Sequence, residues 1–274
     1  MRKYISPFLL LVLSVVFFSC SEGGRCVEKA GVNYWKENVF TQPNIDMSKY
    51  DDGIIGAKVD GKWQEFEIRE LPDGFMEWTK SARLKSLEKM KKGEFPGFAG
   101  PHSGMVASYG GMREDAKFSI NNAVKGTGLV PKKEKIKDIM KTLEETWDAP
   151  VTEKLDILSG FYEDEEMFDR TELSSLELYT TKDFQTKTFL NIMANPAVAI
   201  VYLDIPSYDV RAICRLVHPE DETAIEEERD ICRYVNMIHD YFHGKSPRES
   251  IVMIFHVIQV FDNSPRARGV RVVP

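Results

Sequence analysis

The chain has 274 residues, 43% hydrophobic and 29% charged, with a formal net charge of −7. That length is enough to bury one large core or two small ones. The excess of acids argues against extended nucleic-acid binding, leaving at most a local basic patch, so no nucleic-acid partner is expected.

Residues 1–20 read as a targeting segment. Arg2 and Lys3 give a positive start, and Phe8–Phe18 is an apolar run too short to span a bilayer comfortably. Ser19-Cys20 follows, then the polar Ser21-Glu22-Gly23-Gly24. This order resembles a bacterial lipoprotein signal, with Phe17 where such signals most often carry Leu. The resemblance implies export, lipidation of Cys20 and anchoring to a membrane of the cell envelope through several acyl chains. An ordinary cleaved signal peptide and an uncleaved anchor are the alternatives. With Cys20 lipidated, Cys26, Cys214 and Cys232 remain, an odd number that gives no complete disulfide framework. Cys214 falls on the apolar face of a strand and Cys232 in a helix, and both read as small buried hydrophobes rather than reactive thiols. No CxxC is present, so zinc and thioredoxin-like chemistry find no support.

Residues 21–130 read as a tether followed by a smaller, irregular α/β region that suggests no family. Residues 21–50 are polar and aperiodic, with aromatics at Tyr34, Trp35 and Phe40. Ile54–Val59 and Lys62–Ile68 alternate around Asp60-Gly61, which predicts a type I′ hairpin. Ala82–Lys92 predicts a short helix ending at Gly93. Residues 96–111 are rich in Gly and Pro and read as an irregular loop or a ligand cradle, although no phosphate-loop spacing is present. His102, Ser103, Ser108 and Arg113 in and after this loop lack an assignable partner.

A second domain is expected over 131–274. Pro131 suits a first helical turn, and Ile136, Ile139, Met140, Leu143 and Trp147 share one face of a helix over 132–147. Lys154–Tyr162 is expected as a strand, and the acids Glu163–Glu166 as a solvated turn. Leu176–Thr180 reads as a strand. A helix over 184–195 follows, capped by Asp183, with Phe189, Ile192 and Met193 apolar and Pro196 as its stop. Ala197–Leu203 reads as a buried strand. In Tyr208–Val217, Val210, Ala212, Cys214 and Leu216 alternate with Arg211, Ile213 and Arg215, as in a strand with two distinct faces.

Glu220–His243 is expected as a helix with Ile231, Val235, Ile238 and Phe242 on one face. His239 and His243 are four apart, but His-Asp-Tyr-Phe-His is not the zinc-protease pattern and no third ligand is apparent, so no metal is expected. His243 beside Gly244 suits a helix C-terminus. Ile251–Phe261 is the longest apolar strand, with His256 inside it, and Val270–Val273 is a short last strand.

The stretch from Leu176 to Val217 resembles the pyridoxamine 5′-phosphate oxidase-like superfamily, the FMN-binding split barrels. Thr181, the Thr186–Lys187 pair at a helix start and Asn195-Pro196-Ala197-Val198 before the next strand carry the resemblance. The basic phosphate-binding strand of the true vitamin B6 oxidases is not visible. The resemblance implies an α+β fold, an antiparallel split β-barrel with flanking helices, that binds FMN and usually forms a homodimer. Thr181, Lys182, Thr186 and Lys187, with Arg211, would then hold the cofactor, and a small-molecule substrate or electron donor would complete an oxidoreductase. Because the protein positions and tunes the flavin rather than doing the chemistry itself, the lack of a visible triad does not weigh against this reading. The alternative is a non-catalytic barrel module that has lost flavin or binds haem through His218, His239 or His256.

Overall fold

The structure is a computed structural model that describes residues 33–111 and 113–273. The expected targeting segment, residues 1–20 with Cys20, and Cys26 after it lie outside the described residues. Twelve strands and five α-helices are present among the described residues.

Six strands close into an antiparallel barrel: β6 (Ser103–Ser108), β7 (Asn121–Pro131), β8 (Phe168–Glu177), β9 (Ala197–Tyr202), β10 (Tyr208–Val217) and β11 (Ile251–Asp262). Around the barrel the order is β6-β7-β8-β11-β10-β9, and the β9–β6 pairing closes it. Closure leaves no long unpaired edge. The short β12 (Val270–Val273) extends one end of β11. The fold is therefore α+β, a closed antiparallel barrel with flanking helices.

Strand β10 has the expected bounds and the expected two faces. Val210, Ala212, Cys214 and Leu216 are buried in the barrel core with Val106, Ile200, Met253 and Phe255. On the opposite face Ile213 packs under a three-stranded sheet of β3 (Ile45–Asp46), β4 (Ile54–Val59) and β5 (Lys62–Glu67). The β4–β5 connection is the predicted hairpin. Val59 pairs with Lys62, and Asp60 and Gly61 both have positive φ, 51° and 78°, as a type I′ turn requires.

Helix α1 (Asp73–Lys91) closes one end of the barrel. Its Phe75 and Trp78 meet Tyr202 and Tyr208 in edge-on and tilted aromatic contacts. Helices α2 (Lys133–Glu145) and α5 (Glu226–His243) cover a second outer face, where Ile136, Ile139 and Leu143 pack with Ile231, Val235, Val252 and Ile254. The expected apolar faces of both helices are the buried ones.

Several expectations are corrected. Residues 154–162 are not a strand but part of helix α3 (Val151–Glu163). Leu155, Leu158 and Tyr162 recur at helical spacing and turn toward the core, while Asp156 and Ser159 meet Lys91 of α1. Pro131 ends β7 rather than starting a helix, and α2 lies between the second and third barrel strands. The boundary expected at 131 does not mark the start of the barrel, because β6 and β7 are two of its six strands. The stretch 96–111 accordingly contains a strand. Strand β8 runs from Phe168 and ends at Glu177, leaving Leu178 and Tyr179 in an exposed loop. Helix α1 starts nine residues earlier than Ala82, and α5 starts at Glu226 rather than Glu220.

From residue 33 onward the chain is not a free tether. A small hairpin of β1 (Trp35–Lys36) and β2 (Val39–Phe40) leads into a strap fixed by buried amides. The Gln42 amide donates to the Cys214 carbonyl at 3.1 Å and accepts from the Leu216 N–H at 2.6 Å, adding a side-chain rung to β10. Phe40 and Trp35 pack their rings against Phe189 and His218.

Candidate functional site

Helix α4 (Lys187–Ala194) plugs the other end of the barrel, presenting Phe189, Ile192 and Met193 to the core. It follows the polar loop after β8, and its cap is Thr186 rather than Asp183. Thr186 has extended backbone angles, and its Oγ1 accepts the Phe189 N–H at 3.1 Å, the bond that satisfies a first-turn donor. The Thr180 hydroxyl lies 3.3 Å from the same oxygen, and when it donates there rather than to Glu177, Thr186 keeps its proton to donate. Thr181 shapes the loop upstream: its Oγ1 accepts from the N–H groups of Asp183 and Phe184, and its backbone closes onto Phe184.

Thr181, Lys182, Thr186 and Lys187 thus lie on one loop and helix start. Lys182 turns to the Asn38 side chain, 3.0 Å away. Lys187 is half-exposed and faces Asp115, 4.0 Å away. The structure does not bring Arg211 to them. It stands on the outer face of β10, next to Asp209 at 3.4 Å and over the Phe261 ring at 4.6 Å.

The residues around the loop come from the segment between β6 and β7. Arg113 donates through Nε and Nη2 to the two oxygens of Asp115, at 2.8 and 2.5 Å. Its Nη1 donates to the Gln185 carbonyl at 3.4 Å, and the guanidinium lies over Phe184 at 5.4 Å. The Arg113 guanidinium, with Lys187 adding to it, holds the Asp115 carboxyl down at about 2. Arg113 was visible in the sequence but had no partner there. Asp115 carried no signal at all, since its relation to Lys187 exists only in three dimensions.

Below the loop, polar side chains bind α4 to the barrel. Asn121 donates to Thr188 at 3.0 Å, and Asn191 donates to the buried Ser108 at 3.2 Å. Lys125 meets the fully buried Glu177 at 2.6 Å, with Thr180 Oγ1 3.3 Å from the other Glu177 oxygen. Nearby, burial pushes the Cys214 thiol far up, so it is not a ready nucleophile. Burial also raises Cys232, to about 12, and both thiols are free.

The histidines are dispersed. His218 meets Trp35 and Phe40 edge-on, His239 lies tilted against His243 with ring centroids 4.7 Å apart, and His256 is enclosed. His102, on the loop before β6, and Ser103, the first residue of that strand, do not meet in an assigned hydrogen bond. Among the described residues no group of three His, Cys, Asp or Glu side chains is placed to hold a metal.

The His256 surroundings form a second polar site, inside the fold. Its Nδ1 is 3.0 Å from Glu172 Oε1, although the ring is turned out of hydrogen-bond geometry. Tyr50 donates to the same oxygen at 2.6 Å. No protein-family model matches the chain, and no curated protein matches it.

Proposed function

We propose that the protein is an envelope-anchored, FMN-binding oxidoreductase built on a split barrel, of the pyridoxamine 5′-phosphate oxidase-like type. The observation that carries the reading is the delivery of Thr186 and Lys187, by the loop after the third barrel strand, to the first turn of a helix that plugs the barrel. A helix start with a hydroxyl and an ammonium group suits a phosphate. FMN, when bound, supplies hydride or single-electron transfer. The protein's part is to grip the phosphate with Lys187 and the Thr186 hydroxyl, and to orient the ring system through the loop that Thr181 shapes. A small-molecule substrate or electron donor is the expected partner. Arg211 is left out of this grip because Asp209 and Phe261 hold it elsewhere.

Support for a homodimer comes from the outer face of β7, β6 and β9. Val124, Met105 and Val201 form one cross-strand row there, and Val124 is 70% exposed. Phe118 and Ile120, just before and at the entry to β7, are also exposed. An apolar sheet face of this kind fits a second copy of the chain. Attachment to a membrane of the envelope rests on the Cys20 signal. Among the described residues no helix is long and apolar enough to cross a membrane.

A barrel module without flavin is the second reading. It is favoured by the commitment of both the Thr181 and Thr186 oxygens to backbone N–H groups. The visible spectrum of the purified protein, before and after adding FMN, separates the two. A flavin spectrum with quenched FMN fluorescence is expected; a colourless protein that takes up no FMN would leave the module.

A further inference from the structure

We propose that Arg113 is a phosphate ligand of the same site and that Asp115 is a built-in competitor for that phosphate. The inference rests on the flavin reading for the identity of its ligand, but the anion site itself has its own evidence.

The Arg113 guanidinium also has contacts that do not involve Asp115. Nη1 is held by the Gln185 carbonyl, and the planar group lies over the Phe184 ring. Both residues immediately precede Thr186, so these contacts draw the guanidinium toward the start of α4 independently of Asp115. The remaining Nε–Nη2 edge is the fork that matches a carboxylate or a phosphate with two parallel hydrogen bonds. Asp115 takes that edge with both oxygens and at the same time faces the Lys187 ammonium at 4.0 Å. A carboxylate therefore already lies between the two cations.

Asp115 is a weak occupant. Its side chain is 56% exposed, on a connecting segment rather than on a strand or helix. An exposed ion pair gains little over its hydrated partners. A phosphate dianion carries twice the charge and more acceptor oxygens, and it would meet Arg113, Lys187 and the first-turn N–H groups of α4 that the Thr186 cap does not take. Binding then exchanges one anion for another. The exchange frees Asp115 and the segment that carries it, and it raises the affinity threshold for ligands with a single negative charge. Riboflavin, which has no phosphate, has nothing to exchange.

The test is calorimetric titration of the full chain in detergent with inorganic phosphate, FMN and riboflavin, for wild type, Asp115→Asn, Arg113→Gln and Arg113→Lys. Asp115→Asn is expected to tighten phosphate and FMN by up to about fivefold, the scale of an exposed ion pair. Arg113→Gln is expected to weaken both by about tenfold or more, with Arg113→Lys between it and wild type. Riboflavin should be indifferent to all three. Unchanged phosphate affinity in Arg113→Gln, in a variant whose melting temperature matches wild type, would overturn the proposal, as would weaker phosphate binding in Asp115→Asn. The expected phosphate pattern without FMN binding in any variant would uphold the anion site and overturn the flavin reading.

Discussion

The Asn44 side-chain amide donates to the Ile192 carbonyl at 3.0 Å, joining residues 148 apart in the chain. The same nitrogen is 3.0 Å from the Met193 carbonyl. These carbonyls belong to the last turn of α4, where a helix has no partners of its own. The strap that precedes the hairpin sheet therefore caps the helix that carries the candidate site.

Asn44→Ala should destabilise the protein by about 1–3 kcal/mol, since it strips hydrogen bonds from buried carbonyls. Urea unfolding followed by tryptophan fluorescence reads the loss. If α4 is held in place by this bond, FMN affinity should fall in the same variant. A variant as stable as wild type would show that the strap does not hold the helix.

Thr186→Ala and Lys187→Ala should separate in their effects. Thr186 is the helix cap, so its loss should cost about 1 kcal/mol of stability. Lys187 is half-exposed, and its removal should leave the melting temperature nearly unchanged. Its loss should weaken FMN about tenfold or more, by removing a charge-assisted contact of about 1.5–3 kcal/mol. Riboflavin binding should be untouched by Lys187→Ala. Equal losses for FMN and riboflavin would rule out a phosphate role for Lys187.

Tyr50, Glu172 and His256 predict an acid-sensitive contact between the N-terminal sheet unit and the barrel. Burial pushes the Glu172 carboxyl up, but the adjacent His256 and the Tyr50 hydroxyl outweigh it and hold the carboxyl below the ordinary carboxylate range. A carboxyl lowered by folding adds stability above its unfolded value and loses that stability as pH falls through its folded value. Stability should therefore drop on acidification below the ordinary carboxylate range. Glu172→Gln should flatten that part of the profile. Tyr50→Phe should cost about 1.5–3 kcal/mol near neutral pH, the range for a hydrogen bond to a charged group. Chemical unfolding across a pH series checks both. An acid limb as steep in Glu172→Gln as in wild type would exclude this carboxylate as its source.

Cys20→Ser should move the protein from the membrane fraction to the soluble fraction, because multiple acyl chains are what make such anchoring stable. Fractionation of cells expressing both forms, with metabolic labelling by a fatty acid, provides the measurement. Unchanged membrane attachment in the variant would point to an uncleaved segment instead.

Sequence by itself determined the elements whose burial is written in a short period. The two-faced alternation of β10, the apolar runs of β9 and β11, the Asp60-Gly61 turn and the stripes of α2 and α5 are all local patterns, and each reappears in the fold. Tertiary structure decided what those patterns leave open. Residues 154–162 contain apolar side chains at both strand and helix spacing, and only packing against α1 selects the helix. Strands β6 and β7 alternate weakly because glycines interrupt both and the interior side of β7 holds Lys125 against Glu177. Asp115 and Lys187 lie 72 positions apart, as do Arg113 and Gln185. A local period records which face is buried, but not which distant segment covers it, and the charges around the start of α4 meet only once the barrel has closed.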